Sequence, residues 1–293
     1  MTETATSLRH KIVRADDLDA VVRTMKAMAA SSIGQYEMAV NALEDYYHAI
    51  QLGLSLCLDD VAPYLDSHTS NSKPTVFIVF GSDQGLVGQF NAMMADFVHT
   101  EMDEHTTSQP QFWTIGERIK TGLEDQQCDV SQHFDLPVSI SAITQLIGEL
   151  VIHIDAMREQ DEVTQFYVFH HQPVSASRYK PVKHRLLPFD KAWHQQLKQV
   201  DWPSQALPEV LGNNVATLGM LIREFLFVSL YKACAESLAS ENASRLAAMQ
   251  RAEENIEALQ DSLHKRYHRL RQENIDEELS DVIQGYEALK LRR

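Results

Sequence analysis

The stretch LAAMQRAEENIEALQDSLHKRYHRL, residues 246–270, places an apolar side chain at every third or fourth position. The repeating residues are Leu246, Met249, Ala252, Ile256, Leu259, Leu263, Tyr267 and Leu270. Their mean spacing of about 3.4 residues is close to the period of roughly 3.5 that defines a coiled-coil seam. The stretch therefore predicts a long helix whose apolar stripe must be covered by another helix.

The sequence on both sides allows this helix to continue. No proline occurs from Glu209 to Arg293, and the apolar stripe resumes after residue 270. Its later members are Ile275, Leu279, Val282, Tyr286 and Leu289. A continuous helix from Glu209 to Leu289 would be about 120 Å long at a rise of about 1.5 Å per residue. Such a length is typical of an assembly or mechanical element rather than of an enzyme core.

The first part of the chain carries a second stripe of the same kind. Apolar residues recur with helical spacing from Thr6 to Leu58, and no proline precedes Pro63. Neither stripe can be buried by its own helix, so each terminal helix is the natural partner of the other. We expect the two to run antiparallel as a two-stranded coiled coil around an inserted middle segment.

The middle segment alternates short apolar runs with helical patterns. The predicted strands are Thr75–Phe80, Phe112–Ile115, Asp129–Phe134 and Gln165–His170, with Val182–Leu187 as an added antiparallel strand. The predicted helices are Val87–Glu104, Glu117–Glu124 and Ile140–Met157. This order indicates an α/β class with a parallel sheet covered by helices on both faces. The expected domains are therefore 1–65, 74–190 and 208–293.

Composition narrows the class of protein. The three cysteines, Cys57, Cys128 and Cys234, are few and widely spaced, which favours a reducing compartment over a disulfide framework. The net charge of −15 disfavours nucleic acid as a partner. The polar N-terminus does not resemble a secretory signal, and no apolar run reaches the length of about 20 residues of a membrane span. These features indicate a cytosolic or peripheral protein.

The segment Gly81–Asn91 lies between a predicted strand and a predicted helix, where α/β proteins place phosphate-binding loops. It matches neither common nucleotide-binding motif and has no lysine to reach a phosphate. A tight turn with closely packed glycines is favoured, and a nucleotide-binding α/β enzyme with a coiled-coil appendage stays as the alternative.

Other residues offer little chemistry. His170 and His171 are adjacent on a predicted strand and must point to opposite faces, so they cannot readily bind one metal ion. No catalytic triad or carboxylate pair is recognisable, so we expect no catalytic, cofactor-binding or metal-binding residues.

Two helical segments are better candidates for partner contact. Residues 23–32 combine Arg23 and Lys26, which share a helix face, with Met25 and several small residues. An ordinary coiled-coil seam explains this run equally well. A basic band at 265–271 precedes an acidic band at 273–281, which is a solvated face or a contact band for a surrounding partner.

Four segments together resemble the gamma subunit of F-type ATP synthases, the central rotor stalk. Thr24–Ser31 (TMKAMAAS) resembles the family's K-A-M-x-M-V-A-A-S run, and Ser82–Asn91 (SDQGLVGQFN) resembles S-[TD]-[DR]-x-G-L-C-G-x-x-N. Glu236–Met249 (ESLASENASRLAAM) is similar to E-N-L-A-S-E-Q-A-A-R-M-V-A-M, and this is the most specific match. Arg271–Leu279 (RQENIDEEL) resembles R-Q-A-x-I-T-x-E-L.

The resemblance implies an antiparallel coiled coil of the terminal helices with an inserted Rossmann-like α/β/α domain. It implies a non-catalytic stalk that transmits rotation between the membrane c-ring and the catalytic sites of the alpha3beta3 ring. The implied partners are the alpha, beta and epsilon subunits and the c-ring, and the membrane is reached only through the c-ring. The implied location is the cytoplasmic face of a bacterial inner membrane.

The resemblance also implies which residues contact the beta subunit. Arg23, Met25 and Lys26 fall where the family's N-terminal helix faces the acidic lever segment of beta. Arg245 and Gln272 fall at positions that contact its catch loop, and Glu278 falls at a position linked to coupling. This chain departs from the family pattern at Gln84, Val87 and Asp276, which suggests a divergent branch such as the alternate or N-type ATPases.

Overall fold

Long helices lie at both ends of the chain, and strands alternate with helices between them, in the computed structural model. The structure describes residues 4–65, 75–105, 110–159, 165–175, 178–189 and 214–290, with isolated positions between 190 and 213. The elements are α1 (Ala5–Asn41), α2 (Glu44–Leu65), β1 (Thr75–Phe80), α3 (Phe90–His105), β2 (Gln111–Ile115), α4 (Glu117–Asp125), β3 (Val130–Phe134), α5 (Ile140–Glu159), β4 (Gln165–Ser175), β5 (Arg178–Leu187) and α6 (Asn214–Lys290). The predicted fold class is confirmed: terminal helices pair around an inserted α/β segment.

The five strands form one sheet in the order β3-β2-β1-β4-β5. The first four are parallel neighbours, and β5 pairs antiparallel with β4, as the sequence predicts. Strand β4 continues to Ser175, beyond the predicted end at His170. The residues of this extension pair with β5 alone, since the pairing of β4 with β1 ends at Phe169. Pro173, which lacks an amide hydrogen, therefore meets a neighbouring strand on one side only.

Apolar residues of alternate strand positions are buried on the two faces of the sheet. Val76, Ile78 and Phe80 of β1 join the core under α5, α2 and α6, whereas Phe77 and Val79 join the core under α3 and α4. Helix α5 is the one described helix long and apolar enough to cross a membrane. Its buried residues lie in the same core as β1, which identifies it as a helix that covers the sheet.

The chain forms two compact units. The first contains the residues up to Met28 and those from Leu246 onward, and the second contains Ala29–Arg245. In the first unit α1 and α6 are antiparallel, because Asp16 contacts Gln260 and Lys26 contacts Glu253. The core of that unit contains Leu8, Ile12, Ala15 and Leu263, with Tyr267 and Leu270 packed against it.

The region predicted to be helical from Thr6 to Leu58 is helical, but it consists of two helices, α1 and α2. The helix is interrupted at Ala42 and Leu43, where the Leu43 amide donates to the Val40 carbonyl three residues back instead of four. The new helix then begins with Glu44 and Asp45, whose carboxylates suit the positive end of the helix dipole.

The prediction that the last helix begins at Glu209 is wrong. Gly212 has a φ of +99°, which is outside the helical region, and helix α6 begins at Asn214. The Asn213 side chain accepts a hydrogen bond from the Val215 amide at 2.9 Å and so caps the first turn.

Two parts of the predicted α6 stripe are not buried. Leu259 is 49 % exposed, although Met249 and Leu263 on the same stripe are buried. Between residues 271 and 284 four apolar side chains are half exposed or more, namely Ile275, Leu279, Val282 and Ile283. The side chains of Tyr286 and Leu289, the last members of the predicted stripe, lie outside the described residues. The antiparallel register pairs the start of α1 with the region just before residue 272, so later turns of α6 have no described part of α1 beside them.

Candidate partner-contact site

The basic cluster near the N-terminus is organised by Glu253 of α6. Lys26 Nζ lies 2.6 Å from Glu253 Oε2, and Arg23 Nε lies 3.4 Å from Oε1. Arg23 also contacts Asp19, one helical turn earlier, at 3.0 Å. The pKa of Glu253 is lowered, first by the hydrogen bond from Lys26 and then by the nearby charges of both cations. These contacts hold the two cations in place on the surface of the first unit.

Both cations remain accessible to a partner. The Arg23 side chain is 60 % exposed, and that of Lys26 is 37 % exposed. Met25 is half-buried, whereas Met28 is mostly exposed and Ala29 is buried. The run from Arg23 to Ala29 therefore contributes one side to the fold and presents cations and a methionine on another.

Arg245, in the second unit, has a more enclosed setting. Its Nη2 lies 2.6 Å from Glu241 Oε1, and its Nη1 lies 3.4 Å from Asn242 Oδ1. Its side chain is 15 % exposed, and its Nε is buried without a hydrogen-bond partner among the described residues. Arg245 is thus held by its own helix and presents only an edge to solvent.

Glu241 is the buried member of this pair. Its side chain is 4 % exposed, and its Oε2 has no hydrogen-bond partner among the described residues. Burial raises the pKa of Glu241 to about 7, against the opposing effect of Arg245, and the charge of Asp83 raises it further. The carboxylate that orients Arg245 therefore titrates near neutral pH.

Gln272 and Glu278 lie on the exposed last turns of α6. The two residues are six positions apart, and each position turns the helix by about 100°, so their side chains lie on different sides of α6. The structure therefore brings Arg23 and Lys26 together at Glu253, and it does not place Gln272 and Glu278 on one face.

Sequence reasoning missed a row of polar residues on α6. Glu236, Ser240 and Ser244 follow one another at intervals of four, so they share one helix face. Glu236 Oε2 lies 2.8 Å from His170 Nε2, and the Ser240 hydroxyl donates to the His171 carbonyl at 3.1 Å.

The third member of the row, Ser244, donates to the Val87 carbonyl at 2.6 Å and contacts the Tyr179 hydroxyl at 2.9 Å. All three α6 residues are buried. The row attaches α6 to β4, β5 and the turn after β1. The spacing of four residues between its members is the sequence pattern from which a shared helix face could have been predicted.

The glycine-rich turn after β1 is filled by the protein itself. The Ser82 amide donates to Asn91 Oδ1 at 3.0 Å, and the Glu117 amide at the start of α4 donates to Asp83 Oδ1 at 3.0 Å. A methyl group on Gly81 would lie 2.3 Å from Ile119 Cβ. These contacts favour close packing over phosphate binding.

The adjacent histidines point to opposite faces of the sheet, as predicted. His170 contacts Glu236, whereas His171 Nε2 lies 2.9 Å from the Phe90 carbonyl on the α3 side. Burial lowers the pKa of His171 to about 4. Among the described residues, no group of three or more histidine, cysteine, aspartate or glutamate side chains is placed to hold a metal ion.

Comparison with known sequences gives matches over nearly the whole chain. The profile of a family described as ATP synthase matches residues 4–289. The ATP synthase gamma chain of Syntrophus aciditrophicus (strain SB) is 24 % identical over 300 residues, which cover 96 % of this chain and 97 % of that protein. The ATP synthase gamma chain of Clostridium botulinum (strain Kyoto / Type A2) is 24 % identical over 289 residues, which cover 96 % of each.

Solved structures share the fold. A chain from the rotor of Euglena gracilis mitochondrial ATP synthase in rotational state 1 aligns with a TM-score of 0.65 and 14 % identity, covering 92 % of this chain and 98 % of that one. A chain from the OSCP/F1/c-ring structure of the same enzyme in rotational state 3 aligns with a TM-score of 0.67 and 16 % identity, covering 97 % and 94 %. A chain from the central stalk and c-ring of Tetrahymena thermophila mitochondrial ATP synthase gives 0.55 and 20 %, covering 79 % and 99 %.

Proposed function

Because the chain belongs to the ATP synthase gamma family, the family of the central rotor stalk, we propose that its paired terminal helices act as the axle of such a stalk. Rotation then passes between a membrane c-ring and the catalytic sites of an alpha3beta3 ring. The observation that carries this proposal is the antiparallel pairing of α1 with α6 in a chain that matches the family from residue 4 to residue 289.

The contact set proposed for the beta subunit is Arg23, Met25, Lys26, Arg245, Gln272 and Glu278. Arg23 and Lys26 support it as exposed cations held in a fixed position, since cations opposite an acidic segment gain modest energy without locking the rotor. The exposed apolar side chains between Ile275 and Ile283 supply a surface that the alpha3beta3 ring would cover.

We further propose a catalytic status, a transported ion and a cellular location for this chain and its complex. The chain carries no catalysis, belongs to a proton- or sodium-translocating ATPase, and lies peripherally at the cytoplasmic face of a bacterial inner membrane. The bacterial source of the matched gamma chains supports this location. The division into 1–65, 74–190 and 208–293 remains a prediction for the functional segments, as does membership of an alternate or N-type branch.

The alternative function, a nucleotide-binding enzyme with a coiled-coil appendage, is not favoured. In the turn that would hold phosphates, the Ser82 amide already donates to Asn91 Oδ1, and the Asp83 carboxylate already accepts from the Glu117 amide of α4. Equilibrium dialysis of the full chain with ATP should show no tight one-to-one binding. Tight stoichiometric binding would support the enzyme instead.

Co-purification tests the stalk function directly. A tagged chain expressed in its own cell should recover alpha- and beta-type ATPase subunits. Recovery of the tagged chain without them, under conditions that preserve the complex, would contradict the proposal.

Mutation tests the contact set. Arg245→Ala and Gln272→Ala should lower coupled ATPase activity while the complex still assembles. Arg251→Ala and Gln250→Ala, at exposed positions of the same helix outside the set, serve as matched controls. Unchanged steady-state turnover in both contact variants would contradict the assignment of those two residues.

A further inference from the structure

The polar row of α6, formed by Glu236, Ser240 and Ser244, lies in a segment of the helix that packs on the sheet. Its two intervals of four residues span about 12 Å of the helix axis, at about 1.5 Å per residue. Other positions of the same segment are apolar and buried, namely Ala233, Cys234, Ala235, Leu238 and Ala239. The row is therefore a set of directional contacts within an apolar interface.

The first two members of the row contact strand β4. Glu236 Oε2 lies 2.8 Å from His170 Nε2, and the Ser240 hydroxyl donates to the carbonyl of the next strand residue, His171, at 3.1 Å. His171 in turn donates from Nε2 to the Phe90 carbonyl, at the start of α3, at 2.9 Å. The path of contacts thus leads from α6 through β4 to a helix on the other face of the sheet.

The third member, Ser244, contacts two further parts of the second unit. Its hydroxyl donates its one hydrogen to the Val87 carbonyl, in the turn after β1, at 2.6 Å. The Tyr179 hydroxyl of β5 lies 2.9 Å away and must therefore be the donor in that pair. The row as a whole holds α6 at both ends of its 12 Å span, on separate pieces of the backbone.

Holding the helix on the sheet does not by itself require polar side chains. Removing them from water costs free energy, and apolar residues of similar shape can hold two elements together about equally well. Apolar contacts are non-directional, so a helix held by them alone turns or slides at little cost. A hydrogen bond weakens steeply as its angle departs from linear. A fully paired polar row therefore fixes one rotational position of the helix.

We propose that the polar row is the joint that fixes the rotational position of α6 against the sheet, so that torque passes between them without slip. Glu236, Ser240 and Ser244 are positioning residues, and all three are buried, so they act through α6. Helix α6 is continuous from Asn214 to Lys290, so a turn imposed on its later part reaches the row along the helix. This inference rests on the proposed stalk function, because a rotor has to transmit torque between its axle and its body.

The number of ions transported per ATP hydrolysed, by the assembled complex in vesicles, is the first measurement. Ser240→Ala and Ser244→Ala together should lower this ratio at least about twofold, because two directional contacts are lost. Ser237→Ala is the matched control. Ser237 is buried in the same helix segment, and its hydroxyl has no hydrogen-bond partner among the described residues. Its loss should leave the ratio unchanged.

The torsional stiffness of the stalk is the second measurement. It follows from the angular fluctuations of a probe attached through Val138→Cys, at an exposed position, while the alpha3beta3 ring is held on a surface. The double serine variant should be less stiff by about twofold or more. Val228→Ala removes a buried apolar contact of α6 and no hydrogen bond, so it should destabilise the isolated chain without lowering stiffness or the transport ratio.

Variants of Glu236 separate the hydrogen bond from the space that the side chain fills. Glu236→Gln keeps an acceptor oxygen for His170 and should keep the transport ratio, whereas Glu236→Leu fills similar space without an acceptor and should lower the ratio. If the double serine variant does not assemble, Ser244→Ala alone replaces it, with the same direction of effect.

The outcomes distinguish the joint from the stalk function. A wild-type chain that does not assemble with alpha- and beta-type subunits would overturn the proposed function and the joint with it. An assembled, ATP-hydrolysing complex in which the serine and Glu236→Leu variants keep the wild-type ratio and stiffness would overturn the joint alone. Equal losses in Val228→Ala would overturn it as well, because they would show that any weakening of the core has this effect.

Discussion

Glu241 gives the sharpest prediction about stability. Two effects compete at this carboxyl: burial disfavours its ionised form, and the Arg245 guanidinium at 2.6 Å favours it. Burial is the larger effect and raises the pKa from its ordinary value of 4.5 to about 7. The folded chain therefore holds a proton on Glu241 at pH values where the unfolded chain has lost it.

The sign of the pH dependence follows from that proton. Stability from Glu241 is fully present below pH 4.5 and is lost as the pH rises through about 7. Between pH 5 and pH 8 the predicted loss is about 2–3 kcal/mol, because one pKa unit corresponds to about 1.4 kcal/mol.

The perturbation is Glu241→Gln, which keeps the shape of the side chain and removes its titration. The free energy of unfolding of both proteins is measured by urea denaturation at several pH values from 5 to 8. From pH 5 to pH 8 the stability of the variant should rise by about 2–3 kcal/mol relative to that of the wild type. Loss of the ion pair adds a constant difference that does not change with pH. Subtraction removes the titration of all other groups, which the two proteins share.

The control is Glu254→Gln, the same change at an exposed position on the same helix. It should give a difference from the wild type that varies by less than about 0.5 kcal/mol over the range. If the Glu241→Gln difference is equally flat, or if the wild type gains relative to this variant as the pH rises, burial does not dominate at Glu241 and the reasoning is refuted.

Three further predictions concern packing and charge. Gly81→Ala should lower the free energy of unfolding by about 1–3 kcal/mol, because the new methyl group would collide with Ile119. Gly148→Ala, inside α5, should raise the free energy of unfolding by about 0.5–1 kcal/mol, because no atom lies within 4 Å of the added methyl group. Equal effects of the two changes in urea denaturation would contradict this account. Lys26→Gln should raise the pKa of Glu253 toward its ordinary value, and by more than Arg23→Gln does, because the hydrogen bond from Lys26 is the largest cause of the lowering; carboxyl NMR titration measures both. His171 should stay neutral in imidazole NMR titration until the pH approaches 4, so its contribution to stability is present above pH 6.5 and is lost as the pH falls toward 4; titration near pH 6.5 would show that the imidazole is not buried.

Much of the fold can be predicted from the sequence because its signals are periodic. The stripe around Leu246–Leu270 has a helical period, and the runs Thr75–Phe80 and Gln165–His170 are short and apolar, as buried strands are. The break at Ala42 and Leu43 could not be predicted in this way. Neither residue is a helix breaker, and the interruption is visible only in the backbone hydrogen bonds.

Some contacts of the candidate site residues could be predicted from the sequence, and others could not. The Glu241–Arg245 pair lies at a spacing of four on one helix, so sequence could indicate it. The pairing of Lys26 with Glu253 joins residues 227 positions apart and depends on the register of two helices. Composition and period predict that α1 and α6 pair, but the register follows from packing of individual side chains such as Leu8, Ile12 and Leu263.

The last turns of α6, beside which no described part of α1 lies, have a thermodynamic consequence. A helix of about 20 residues without neighbours is marginal in water, because each turn must offset its own loss of backbone entropy. Backbone amides beyond Gln272 should therefore exchange with solvent deuterium far faster than those around Leu263, which have a buried neighbour. Assembly with a ring that covers Ile275 and Leu279 would slow that exchange. The rate of amide exchange in this segment therefore measures whether the segment is bound.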